Sequence, residues 1–122
     1  MRFPSASVTY DDLVTHPDRP EAFFAANDAI AIEILRAAQR HSLRVPEDIA
    51  MVGFDNMSYS ALLSTPMTTV AQQSTEMGIR AGTLLINRIE RQVSGAPKHI
   101  ELPTSLIIRQ SCGARLRISN SR

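Results

Sequence analysis

The stretch Ala22–Asn56, AFFAANDAIAIEILRAAQRHSLRVPEDIAMVGFDN, constrains the fold more than any other part of the chain. Two short apolar runs, Ala22–Ala26 and Ile49–Phe54, each stop abruptly at a polar pair, Asn27-Asp28 and Asp55-Asn56. Neither run alternates polar with apolar, so each reads as a strand covered on both faces. The segment between them has helical periodicity. Two strands joined through a helix lie parallel, with a right-handed crossover. Both polar pairs then emerge at the carboxyl ends of neighbouring strands. That edge is where open α/β sheets bind their ligands.

The connecting helix is expected over Asp28–His41, with the Asp28 carboxylate favoured at the positive end of the helix dipole. Glu33, Arg36 and Arg40 share one narrow charged face. Ile30, Ile32, Ile34, Leu35, Ala37 and Ala38 make a broad apolar arc. A surface helix needs an apolar stripe of only about 100°. This wider arc calls for two neighbours, the sheet and a second body. The second body is either a subunit partner or more of the same chain.

Around this unit the βαβ order continues, which makes the fold class α/β. Thr9–Thr15 reads as a short helix capped by Thr9 or Asp11, with Leu13 and Val14 facing inward. His16–Pro20 is a turn between prolines. Met57–Ser64 reads as a short helix stopped by Thr65-Pro66, and Met67–Ala71 as a third, β-branched strand. Gln72–Glu76 opens a long helix that runs to about Gln92, with Met77, Ala81, Leu84, Leu85 and Ile89 on one face. Gly78 and Gly82, one turn apart, are expected where another backbone comes close. His99–Pro103 and Ser105–Ser111 read as two strand segments broken by Pro103. Residues 1–8 read as irregular, and the polar, basic tail from Gly113 is expected to be disordered.

The chain has 122 residues, enough for one domain or a piece of one. Its formal net charge of +1 gives no electrostatic reason for it to bind nucleic acid or membrane. Cys112 is the only cysteine, so neither a disulfide framework nor a thiolate metal cluster is available. No apolar run approaches the roughly 20 residues of a membrane span. The opening residues lack the apolar core of a signal peptide, which leaves the cytoplasm as the expected compartment.

No phosphate-cradling glycine loop, nucleophile elbow, HExxH or CxxC motif is present. His16, His41 and His99 are scattered, without a nucleophile or metal partner in sequence. No catalytic residue, metal or cofactor is expected. What remains is a set of polar groups at strand ends, Asn27, Asp55 and Gln72. The amides donate and accept, and an ionised Asp accepts two donors at once. Such a set suits a neutral ligand with several hydroxyls, such as a sugar, or a heterocycle with N–H donors. A phosphate would want backbone N–H groups and cations instead. Asn27 and Asp55 can equally be helix caps, and local chemistry leaves both readings open.

The motifs resemble, in order, the carboxyl-terminal part of the LacI/GalR family of bacterial transcription regulators. They are AND opening a helix, LRVPEDI, VGFD, TPMTTVAQ, a helix beginning EMG, and ELP followed by a hydrophobic strand ending in Arg109. The resemblance covers about Pro20 to Ser111. It implies a periplasmic-binding-protein-like core, a parallel sheet in a three-layer sandwich, here an incomplete subdomain. Two such subdomains would close on a small-molecule effector, while a separate helix-turn-helix and hinge helix read operator DNA.

By motif, Asn27, Asp55 and Gln72 correspond to effector-contacting positions. Ile30, Ile32, Leu35, Tyr59 and Leu62 fall on segments that form the family's dimer interface, which implies a homodimer or higher oligomer. Residues 1–15 would then be remnants of earlier elements, 16–113 the effector-binding and dimerising part, and 114–122 a flexible tail. The helix from about Thr75 and the IELP strand would cross into the other subdomain. Without that subdomain, Met77, Leu84, Leu85 and Ile89 become an association surface. Ala71 and Gln73 depart from the family pattern, where a basic residue and a proline are common. A sugar-binding transport protein of related fold is the alternative, and a hydrolase using Asp55 fits less well.

Overall fold

The computed structural model describes residues 9–114. The expectations for residues 1–8 and for the tail from residue 115 lie outside them. The chain forms two compact units, one holding the residues up to Ala71 and from Leu106 on, the other Gln72–Ser105. Strands β1 (Ala22–Phe24), β2 (Ala50–Phe54), β3 (Thr68–Ala71) and β4 (Ser105–Ile107) make one sheet in the order β1-β2-β3-β4. β1 pairs with β2 and β2 with β3, both in parallel, with Phe24 opposite Val52 and Phe54 opposite Val70.

Helix α1 (Tyr10–Thr15) starts at Thr9, whose hydroxyl accepts the Asp12 N–H at 3.1 Å while the Thr9 N–H donates to the Asp12 carboxylate at 3.0 Å. This reciprocal cap satisfies two of the amides that the first turn leaves over. Helix α2 (Asp28–Arg40) crosses from β1 to β2 and packs on both β2 and α1. Ala31, Ile34, Leu35, Ala37 and Ala38 are buried on it, and they meet Val14 of α1 and Met51 of β2 in the core. α1 therefore covers part of the wide apolar arc of α2, so the second neighbour there is more of the same chain. Asp11 pins the two helices together. Its carboxylate accepts Arg40 Nη2 at 2.7 Å and lies 2.9 Å from His41 Nε2.

Ser111, fully buried, ties the end of the chain to the start of the sheet. Its hydroxyl donates to Met51 O at 2.6 Å and accepts the Thr68 N–H at 2.8 Å.

Three expectations are corrected. β1 and β2 are not covered on both faces. Phe23 packs on the core but Phe24, on the opposite face, is 67% exposed, because α2 packs on one face and no described residue covers the other at that point. Along β2, buried Met51 and Gly53 alternate with half-buried neighbours. His99–Pro103 is not a strand, and only Ser105–Ile107 of the final run pairs as one. A strand needs a ladder partner, and none of the described residues supplies one to His99–Pro103.

In the second unit, helix α3 (Ser74–Ile89) buries no residue. A β-carbon built on Gly78 or Gly82 would meet nothing within 4 Å, so among the described residues no backbone from outside the helix approaches them. Lys98–Leu102 runs beside α3 and shares with it a shallow groove of about 230 Å³, lined also by Met77, Ala81 and Leu84.

Candidate functional site

Asn27 stands three residues beyond Phe24 and Asp55 three beyond Val52, and Phe24 and Val52 are register partners. Parallel strands in that register bring both residues to the same carboxyl rim of the sheet. Asn27 is the N-cap of α2, its Oδ1 accepting the Ile30 N–H at 2.9 Å. The capping reading of Asn27 is therefore realised. It occupies one carbonyl lone pair, and the side-chain amide still has two donors. Gln72 follows β3 directly, half-buried, and belongs to the other unit.

Asp55 does not cap a helix. Its N–H continues the ladder, donating to Val70 O at 2.9 Å, but its φ is 99° and that of Asn56 is 51°. Two consecutive residues with a β-carbon in the left-handed region are strained, at about 1–3 kcal/mol each, and persist only where the surroundings hold them. Three groups hold the turn from other parts of the chain. The Asn56 N–H donates to Thr69 Oγ1 at 3.2 Å, and Thr69 stands opposite Gly53 rather than further along β3. The chain thus doubles back within two residues of leaving β2. Arg109 Nη2 donates to Asn56 Oδ1 at 2.8 Å, and the next amide, Met57 N–H, donates to Asp28 Oδ2 at 2.9 Å.

Asp28 is the hub beneath this turn. It is fully buried, and its carboxylate accepts the Thr69 hydroxyl at 2.6 Å, the Ser60 hydroxyl and the Met57 amide. Helix α2, strand β3 and the 3-10 turn Ser58–Ala61 are joined through one carboxylate. A β-carbon built on Gly53 would lie 2.2 Å from Asp28 Oδ1, so only glycine leaves room for it. The sequence reading gave Asp28 a dipole role and gave Ser60, Thr69 and Arg109 none. Their partners lie tens of residues away, which no local pattern reports. A glycine inside an apolar strand is the one signal, since it marks a close approach.

Of the dimer-segment residues, Leu62 is 84% exposed and Tyr59 37% exposed, while Ile30 and Ile32 are half-buried. Leu35 is only 4% exposed and is spent on the core, so it has no surface to offer a partner. Among the described residues, no group of three His, Cys, Asp or Glu is placed to hold a metal ion. No helix among them is long and apolar enough to cross a membrane.

Residues 3–112 match the profile of the periplasmic binding protein-like domain. The chain belongs to that family. Its relatives place it with regulators of the LacI type. The HTH-type transcriptional repressor MelR of Bacillus subtilis (strain 168) is 46% identical over 94 residues, which are 77% of this chain and 27% of the repressor. The HTH-type transcriptional repressor PurR of Pasteurella multocida (strain Pm70) is 41% identical over 97 residues, 80% of this chain and 29% of the repressor. The chain therefore spans less than a third of the length of either relative.

Among solved structures, the transcriptional regulator CelR in complex with cellobiose is similar at a TM-score of 0.73 and 35% identity, covering 84% of this chain and 33% of that one. A LacI family regulator from Lactobacillus casei with bound sucrose is similar at 0.69 and 31%, covering 84% and 38%. The α/β, periplasmic-binding-protein-like architecture expected from the sequence is thereby established for this family member.

Proposed function

We propose that the chain is part of the effector-binding and dimerising module of a LacI/GalR-type transcriptional regulator in the cytoplasm. The effector is a small polar molecule, a sugar or a nucleobase-like heterocycle. Asn27, Asp55 and Gln72 are its contacts from this part of the protein. Operator DNA is read by a helix-turn-helix outside these 122 residues. The effector works through its differential affinity for the DNA-binding and released states of the dimer.

The observation that carries this reading is the Asp55–Asn56 turn. A carboxylate at a strand's carboxyl end is held on a strained backbone by Thr69, Arg109 and Asp28. Strain that the fold maintains at such considerable expense of polar contacts belongs to binding sites more often than to scaffolding. Its place on the ligand rim of a parallel sheet agrees with that. Sugars are bound by the CelR and Lactobacillus casei relatives. No reaction is proposed: Asp28, the other carboxylate at the β1–β2 rim, is fully buried and taken up by Thr69, Ser60 and the Met57 amide. Calorimetric titration with sugars and nucleosides, wild type against Asp55→Ala, tests the reading.

A further inference from the structure

Arg109 lies just past β4, half-buried, and holds three groups at once. Its backbone N–H donates to Thr68 Oγ1 at 2.9 Å, Nη1 donates to Met67 O at 2.8 Å, and Nη2 donates to Asn56 Oδ1 at 2.8 Å. Met67 is fully buried at the entrance to β3, and Asn56 is the second residue of the left-handed turn. One planar guanidinium therefore ties a fixed point of the core to the strained segment. A guanidinium fork can serve two acceptors from adjacent nitrogens in a set geometry, whereas an ammonium is a single point on a flexible stem.

We infer that Arg109 is the positioning residue for Asp55: its guanidinium, anchored on Met67 O, grips Asn56 Oδ1 and so holds the left-handed turn that fixes where the Asp55 carboxylate stands. This rests on the reading of Asp55 as an effector contact. Asn reaches a φ of 51° more readily than most residues, and Thr69 already holds the Asn56 N–H, so what Arg109 adds is a hold on the side chain, through Oδ1. Asp28 secures the same segment one residue further on, at the Met57 amide, which leaves the side chain of Asn56 to Arg109.

The test is solution NMR of the full chain, reading the one-bond Cα–Hα couplings that report positive φ at Asp55 and Asn56. Amide protection of Met51–Gly53 serves as the control for an intact sheet. Wild type is expected to show positive φ at both residues. Arg109→Gln and Arg109→Lys are each expected to lose it, with protection of β2 retained. Asn56→Gly combined with Arg109→Gln is expected to restore a single turn conformation, because glycine takes positive φ freely. Positive φ unchanged in Arg109→Gln overturns the inference. If Arg109→Gln loses the sheet as well, Arg109→Lys decides: a folded protein with a loosened turn supports the clamp, and loss of the sheet again overturns it as a specific device. A turn that loosens while cellobiose or lactose binding is indifferent to Asp55→Ala overturns the effector reading and not the clamp.

Discussion

The carboxylate of Asp28 accepts the hydroxyl of Thr69 at 2.6 Å, in the space where a side chain on Gly53 would otherwise sit. Helix α2 can lie this close to the sheet only because β2 carries a glycine at that point. Close approach, buried carboxyl group and strained turn are consequently one arrangement. Gly53 admits Asp28, Asp28 gathers Thr69, Ser60 and the Met57 amide, and those groups support the segment that begins at Asp55.

Gly53→Ala is expected to be destabilising, because the new β-carbon would lie 2.2 Å from Asp28 Oδ1, which the Thr69 hydroxyl holds in place. Overpacking of this kind costs about 1–3 kcal/mol. Gly78→Ala on α3 is the contrasting case, since a β-carbon there meets nothing. It is expected to add up to ~1 kcal/mol of helix stability. Urea denaturation followed by circular dichroism checks the first. Amide exchange along α3 checks the second.

Asn27 caps α2 and is a proposed effector contact, and substitution can separate the two roles. Asn27→Ala removes the acceptor for the Ile30 amide and is expected to cost about 1 kcal/mol. Asn27→Ser keeps a capping oxygen and is expected to leave stability within a few tenths of a kcal/mol. Both remove the side-chain amide, so both are expected to weaken effector binding. Equal binding by wild type and Asn27→Ser would reduce Asn27 to a cap.

The clamp between α1 and α2 gives a pH dependence of definite sign. The Arg40 guanidinium hydrogen-bonded to Asp11, with His41 beside it, holds the Asp11 carboxyl below its ordinary value of 3.8. The unfolded chain therefore binds the proton more readily. The contribution is present above pH 3.8 and is lost as pH falls through the lower, folded value. Asp11→Asn is expected to lower stability at pH 7 and to make little difference near pH 2. The groups are exposed, so salt is expected to shrink the effect. Denaturation midpoints at the two pH values and two salt concentrations check it.

Much of the fold was legible because its boundaries are marked chemically. The apolar runs that became β1 and β2 end in polar pairs, and α2 begins at Asp28, as read. Thr9 caps α1 with Asp12 three residues on, a local pattern. Burial was less legible. Phe24 belongs to an apolar run but lies on the open face of β1, and composition does not say which face of a strand is covered. His99–Pro103 has strand-like residues and no ladder to join. At the candidate site, the place of Asn27 and Asp55 on one rim was readable from strand ends alone. Asp28, Ser60, Thr69 and Arg109 were not, because their roles exist only through contacts between distant segments.

Two apolar surfaces make separate predictions for mass in solution. Leu62 and half-buried Ile32 lie on the segments assigned to the dimer, and Leu85 and Ile89 are 61% and 71% exposed on α3. Sedimentation is expected to find the chain larger than a monomer. Leu62→Glu or Ile32→Glu is expected to reduce that mass if the dimer segments carry the contact. Leu85→Glu with Ile89→Glu is expected to reduce it if the α3 face does. A monomeric wild type would contradict both.

The most direct measurement is calorimetric titration of wild type and Asp55→Ala with a panel containing cellobiose, sucrose, lactose and nucleosides. Circular dichroism serves to confirm that both proteins are folded. The expected result is a saturable signal for one member of the panel, weak because this chain is part of a binding module, and abolished in Asp55→Ala. A ligand bound equally well by the two proteins would remove Asp55 from the site and contradict the proposed effector contact.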